Sequence, residues 1–339
     1  MGINLKPLVS SADISIDDLA HKTVAIDAFN ILHQFLSAIR QRDGTPLKDA
    51  QGRVTSHLTG LLTRTAHLVE RSIKPVYVFD GAPHPLKLTV LNNRHEIKQK
   101  ARDAWQLALQ QGDLENAHKY AQQTSTLNEE LVGEAQALLK ALGIPYIEAP
   151  GEGEAQASYL NLKGDVDYTG SQDFDCLLFG APALVRNIAA TGRRKIPNKQ
   201  KWVPVSPELI NLKDMLAAHN ISREQLVDIA ILMGTDFNEG IKGIGPKTAL
   251  KMAKEHGCIE DIILAENLDC IDQLDEIRAL FLNPSVTDDY QLIWQPADEN
   301  SVLHLLRDEH QFREDRVKIA LTKFKKITDR MGQKELFDF

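Results

Sequence analysis

Apolar residues fall into two kinds of run that alternate along the chain. One kind is short and continuous, and the other recurs at helical spacing. Thr23-Val-Ala-Ile-Asp27 is a compact apolar run ending in an acid. Such a run, lacking polar alternation, suits a strand covered on both faces. Phe29, Ile31, Leu32, Phe35, Leu36 and Ile39 then follow a helical period, and Leu58, Leu61, Leu62, Leu68 and Val69 predict a second amphipathic helix over 57–71. Lys74-Pro-Val-Tyr-Val-Phe-Asp80-Gly81 repeats the first pattern, an apolar strand with an Asp at its end. Strand, helix and strand in this order imply a right-handed crossover and a parallel sheet. Asp27 and Asp80 then lie at one C-terminal edge, although either alone would pass as a helix cap or turn residue.

A third junction follows a helix predicted over 128–142. The apolar run from Ile144 to Ile147 breaks at Pro150-Gly151, and a helical pattern resumes through Ala155, Ala157, Tyr159 and Leu160. Glu152 and Glu154 sit in the break. Gly151-Glu-Gly153 looks like the start of a dinucleotide-binding turn. However, Gln156 stands where that motif needs Gly or Ala, and two carboxylates would repel a pyrophosphate. Such a turn is better suited to a cation, though alone it is equally a pair of solvated acids at a helix N-terminus. Since positions i and i+2 do not share a helix face, Glu152 belongs to the turn and Glu154 to the first helical residues. Val166–169 predicts another strand, and Cys176-Leu-Leu-Phe-Gly180 reads as a strand after it. Asp173 and Asp175 would occupy the loop between, with strand alternation sending one toward the site and the other away.

Two further stretches break the strand–helix rhythm. From Pro83 to Thr124 no strand is predicted, and a helical hairpin bending at Gly112-Asp113 fits. Across 87–102 the bases Lys87, Arg94, Lys98, Lys100 and Arg102 meet only Glu96. A solvated helix is the ordinary meaning of a charge run, but this one directly follows Asp80. Residues 223–234 predict a helix ending at Gly234-Thr-Asp236, and Gly240-Ile-Lys-Gly243-Ile-Gly245-Pro246-Lys247 leads into a helix over 248–255. Glycines there let backbone N–H groups approach a phosphate, with Lys247 and a helix N-terminus adding positive potential. Helical patterns at 277–282, 302–306 and 316–327 complete the core.

Composition then excludes classes. The 339 residues, 43% hydrophobic and 25% charged, form an ordinary globular composition. No run approaches a membrane span, and nothing at the N-terminus argues for export, which points to the cytoplasm. Cys176, Cys258 and Cys270 lack ligand spacing and read as reduced thiols. The net charge of −8 is polarised: 255–300 holds twelve acids against Arg278 alone, while 183–207 holds six bases and no acid. The latter predicts a basic β-hairpin around Thr191-Gly192 that is free to face a polyanion. Seven acids, Asp27, Asp80, Glu152, Glu154, Asp173, Asp175 and Asp236, thus gather at element ends, a density that needs hard divalent cations. A pair of such ions suits phosphodiester hydrolysis, with Lys87 and Arg94 nearest to neutralise the phosphate.

On Ile26-Asp27-Ala28, Val78-Phe-Asp80-Gly81, Glu148-Ala-Pro-Gly-Glu152-Gly-Glu154-Ala-Gln-Ala157, Gln172-Asp173-Phe-Asp175, Gly234-Thr-Asp236-Phe and Gly243-Ile-Gly-Pro-Lys247, the chain resembles the flap endonucleases, structure-specific 5′ nucleases, and their archaeal form most. The resemblance spans nearly the whole chain. It implies an α/β fold, a central, mostly parallel sheet flanked by helices in a PIN-like 5′-nuclease core over 1–330. It implies that the seven acids hold two Mg²⁺ ions, with Mn²⁺ a substitute, and that Lys87 and Arg94 contact the scissile phosphate. The 83–124 stretch becomes a helical arch for a 5′ flap, and 223–257 a helix–loop–helix element gripping duplex DNA, in this family often with K⁺. Gly2, His33, Arg40, Gly243, Gly245 and Lys247 are the implied DNA contacts, with His33 replacing a stacking Tyr. The 331–339 tail resembles a sliding-clamp-binding peptide through Gln333, Leu336, Phe337 and Phe339, without that peptide's adjacent aromatic pair. The implied protein is a nucleoid-associated monomer acting on flapped or nicked duplex DNA in replication and repair, with 5′ exonuclease activity beside it. The rival readings are a non-catalytic DNA-binding scaffold, against which the seven acids speak, and an RNA-cleaving nuclease, which the glycine loop and arch oppose.

Overall fold

A computed structural model describes residues 2–189, 193–195 and 202–334. In chain order, the first half contains β1 (Ala12–Asp13), β2 (Thr23–Asp27), α1 (Ala28–Ala38), α2 (Ser56–Glu70) and β3 (Lys74–Phe79). The projecting helices α3 (Leu88–Gln110) and α4 (Leu114–Gln122) follow, then α5 (Glu129–Ala141), β4 (Tyr146–Glu148), α6 (Gly153–Lys163) and β5 (Tyr168–Gly170). The second half holds α7 (Asp175–Leu178), β6 (Ala183–Arg186), β7 (Arg193–Lys195), β8 (Trp202–Pro204), β9 (Glu208–Asn211), α8 (Leu212–His219) and α9 (Arg223–Met233). It closes with α10 (Pro246–His256), α11 (Ile259–Ala265), α12 (Leu274–Leu282), α13 (Glu299–Leu303) and α14 (Glu314–Lys334).

Seven strands make one sheet in the order β1-β9-β6-β5-β2-β3-β4. The five strands from β6 to β4 run parallel, and β9 and β1 add an antiparallel edge. Strand alternation assigns the two faces. Val24, Ile26, Tyr77 and Phe79 pack with α1, α2, α5 and α14, whereas Ala25, Val76 and Val78 face α6. A third cluster, from Leu184 through Leu226, Ile229 and Phe281, joins α7, α9 and α12. β2 is flanked by β3 on one side and β5 on the other, so the chain winds outward from it in both directions. Ligands bind beyond the carboxyl ends of strands at such a switch point.

Three expectations need correction. Cys176–Gly180 is not a strand: Asp175–Leu178 is a single helical turn, fully buried at Cys176, Leu177 and Leu178. A short run apolar on all sides serves either element when wholly buried, and the following strand lies later, at β6. The basic hairpin exists as the antiparallel pair β7–β8. Its connecting residues therefore fall between 195 and 202, while Thr191-Gly192 lies outside the described residues. Finally, α14 continues to Lys334, so Gln333 belongs to its last turn and a tail beginning at 331 starts too early. Leu336, Phe337 and Phe339 lie outside the described residues. Among the described residues no helix is long and apolar enough to cross a membrane.

Candidate functional site

All seven acids line one open cleft of about 740 Å³ beyond the C-terminal edge of the sheet, together with Gly2, His33, Lys87 and Lys98. Asp27 closes β2, and its Oδ1 accepts the Asn30 N–H at 3.0 Å, capping α1. Asp80 follows β3 and accepts the Gly153 N–H at 2.7 Å. A Cβ at Gly153 would lie 2.6 Å from that oxygen, so only glycine lets α6 start this close to Asp80. Glu152 holds extended backbone one residue before α6 and makes no cap bond. Its carboxylate is instead paired with Lys87, whose Nζ also lies 3.9 Å from Asp236. Glu154, in the first turn of α6, accepts the Ser171 hydroxyl at 2.8 Å.

Asp173 and Asp175 both line the cleft, contrary to the expectation that one would turn away. Phe174 between them takes helical angles (φ −82, ψ −6), so strand alternation has already ended there. The chain's first residues fold onto these two acids. The Gly2 N–H donates to Asp173 at 3.2 Å and the Ile3 N–H to Asp175 at 2.9 Å. Asp236 arrives from the far side, just after α9 ends at Gly234, which has φ +96.

So many carboxylates in one partly dry cleft hold one another's protons. Burial, then the charge of Asp80, pushes Asp27 up to about 8 against the Asn30 N–H. Burial and then Glu152 raise Asp80 to about 6. Burial lifts Asp175 to about 7, with Asp236 and Asp173 adding to it and the Ile3 N–H opposing. Burial followed by Asp27 and Asp175 holds Glu154 well above the carboxylate range. For Lys87, burial works against the charge, but Glu152, Asp80 and Asp236 outweigh it and raise its pKa. An all-oxygen donor set that must otherwise retain protons fits hard divalent cations such as Mg²⁺ or Mn²⁺.

The remaining candidates lie elsewhere. Arg40 donates to the carbonyls of Leu36 at 2.7 Å and Gly44 at 2.9 Å, closing the turn after α1. Arg94 lies in α3, and its side chain is outside the described residues. Gly243 and Gly245 sit in the loop between α9 and α10, with Lys247 exposed in the first turn of α10. In that loop Gly240, at φ +70, stacks so closely on α9 that a Cβ would lie 2.2 Å from the Gly234 nitrogen.

Two site residues escaped sequence reasoning. Asn30 donates to Asp173, and the Ser171 hydroxyl lies 3.4 Å from Asp27, donates to Glu154 and accepts the Asp173 N–H at 3.2 Å. The available signal was local: Asn30 is a polar residue inside an apolar helix start, three positions after Asp27, and Ser171 directly follows β5.

This centre, at the switch point of a parallel sheet with a projecting helical pair on one side, defines a nuclease of the XPG type. Residues 1–101 match the XPG N-terminal domain and 143–236 the XPG I-region. Flap endonuclease 1 of Methanosarcina barkeri is 49% identical over 338 residues, covering 100% of this chain and 99% of that relative. The solved flap endonuclease-1 from Methanococcus jannaschii is 41% identical and matches with a TM-score of 0.78 over 97% of this chain and 100% of that one. The catalytic core of Rad2, solved in complex with DNA substrate, shares the fold at 22% identity and a TM-score of 0.70, covering 94% of this chain and 97% of its own. The chain belongs to the flap endonuclease 1 family. It is a structure-specific flap nuclease, a hydrolase acting on DNA, in a family that generally depends on divalent metal ions.

Proposed function

We propose that the seven-acid cleft is a two-ion centre, loaded with Mg²⁺ or alternatively Mn²⁺, that hydrolyses a DNA phosphodiester near the junction of single and double strand. The observation that carries this reading is the convergence of Asp27, Asp80, Glu152, Glu154, Asp173, Asp175 and Asp236 on one cleft with Lys87 among them. Bound there, the ions would lower the pKa of a water and stabilise charge on the phosphate oxygens. The chain's own residues do the rest. Asp27, Glu154, Asp173 and Asp175 face one side of the cleft and Asp80, Glu152 and Asp236 the Lys87 side. Lys87, held charged by its acidic partners, is placed to meet the scissile phosphate, joined by Arg94 from α3. α3 and α4 serve as an arch around the 5′ strand, and His33 offers an imidazole face to a base next to the cleft. Gly2 brings the start of the chain against Asp173.

The loop carrying Gly243, Gly245 and Lys247 grips duplex backbone, and a K⁺ there would add a further positive charge. Arg40 lies on the cleft's helix α1 as an additional phosphate contact. Gln333, Leu336, Phe337 and Phe339 provide a docking peptide for a sliding clamp, so a monomer acts in replication and repair beside the chromosome in the cytoplasm. 5′ exonuclease cleavage is a second outcome of the same centre on nicked DNA.

Asp175→Asn tests the centre on a labelled double-flap substrate. Cleavage should be lost while flap binding stays near wild type; cutting at the wild-type rate with Mg²⁺ refutes the assignment. The rival reading, a scaffold that binds DNA without cutting, predicts no Mg²⁺-dependent product from the wild type.

A further inference from the structure

Residues 283–298 contain no helix or strand and run from α12 across the outer face of α6 to α13. Gln156 fastens this strap. Its side chain is fully buried, and both ends of its amide meet one peptide unit: Oε1 accepts the Thr287 N–H at 2.8 Å and Nε2 donates to the Thr287 carbonyl at 2.9 Å. The same residue's backbone N–H donates to the Glu152 carbonyl at 3.2 Å. Gln156 is thus bonded to the turn bearing Glu152 on one side and to the strap on the other. This is also the position that separated the stretch from a dinucleotide-binding turn, where Gly or Ala would have no amide to offer.

The strap's other end leads to the opposite wall of the cleft. Phe281, at the end of α12, packs on Phe237 with ring centroids 5.4 Å apart, and Phe237 adjoins Asp236. Lys87 faces both walls, paired with Glu152 and 3.9 Å from Asp236. A buried amide paired with a single peptide fixes the spacing of its two supports, since any slippage leaves donors and acceptors unmatched in the interior.

We propose that Gln156 is a positioning residue, whose clasp on Thr287 sets the distance between the Glu152–Glu154 turn and Asp236. The proposal rests on the metal reading of the cleft. Farther along, Lys163 also ties the strap, reaching Asp288 at 2.9 Å, but it lies at the far end of α6 and leaves the clasp intact.

The test measures Mn²⁺ bound by the free protein, by electron paramagnetic resonance titration, alongside steady-state cleavage of a double-flap substrate. Gln156→Leu and Thr287→Pro each break the pair, the second from the strap side by removing the N–H. Each should weaken Mn²⁺ binding and lower kcat by about tenfold, with KM for DNA unchanged. Lys163→Ala should leave all three at wild-type values. If Gln156→Leu fails to fold, Thr287→Pro, outside the core, decides. Wild-type Mn²⁺ affinity and kcat in a folded clasp variant, with only a lower melting temperature, overturn the proposal. Failure of the metal reading looks different: the wild type itself would then bind Mn²⁺ no better than Asp175→Asn.

Discussion

Asn30 donates from Nδ2 to Oδ2 of Asp173 at 2.8 Å, joining α1 to the acid that follows β5. Because its backbone N–H caps Asp27, one residue holds acids from two strands in register. Gln34 in turn donates to Asn30 Oδ1 at 2.7 Å and fixes which way the amide faces. Asn30→Leu should therefore lower kcat by about 10–100-fold, as loss of groups supporting ligands does. Flap-DNA affinity without divalent ions should not change. Wild-type turnover in this variant would show that Asp173 needs no such support.

Gly2 has no room for a side chain, since a Cβ would lie 2.7 Å from Asp175 Oδ1. Gly2→Ala should displace Asp175 or the chain start and reduce cleavage by about 10–100-fold, the usual consequence of a small misplacement near reacting groups. Single-turnover rates at saturating substrate measure this directly. An undiminished rate would mean that the chain start moves aside freely.

Gly243 has φ +92, whereas Gly245 has φ −106. Side chains strain the first geometry by about 1–2 kcal/mol and tolerate the second. Gly243→Val should raise KM for a substrate with a duplex arm and flatten its salt dependence, with kcat kept. Gly245→Ala should do much less. Equal effects of the two would point to lost space rather than backbone conformation.

Asp49 links Arg53 at 2.7 Å and His310 at 3.2 Å, and His310 also faces Glu134 at 3.4 Å. Burial would raise the Asp49 pKa, but hydrogen bonds from Arg53 and His310 outweigh it and hold the carboxyl below its ordinary 3.8. A depressed carboxylate stabilises the fold above its unfolded value, and that stabilisation fades as pH falls through its folded value. Urea unfolding should find Asp49→Asn weaker than wild type at pH 7, with the gap closing below pH 3.8. A gap independent of pH would assign the effect to shape rather than charge.

The strand–acid junctions were legible because a strand covered on both faces is continuously apolar and ends abruptly where the sheet meets solvent. Asp27, Asp80 and Glu152 could be read this way one at a time. Cys176–Gly180 could not, because a short run buried on every side has no polar face to reveal its period. Asn30 and Ser171 were hidden for another reason. Their bonds exist only because β2 lies beside β5, pairing Ile26 with Gly170, a neighbour relation that local pattern does not encode. The clasp of Gln156 on Thr287 depends likewise on a strap with no period to read.

The order of the sheet also governs when the cluster can come into being. β5 must reach β2 across an intervening loop of more than a hundred residues, and Asp236 joins later still, so closure of long loops precedes the meeting of the acids. Their mutual repulsion consequently opposes the final stage of folding rather than its beginning. Divalent ions that relieve it bind only the finished fold and so act as its stabilising ligands. The melting temperature of the free protein is thereby tied to the ion content of its surroundings, before any DNA arrives.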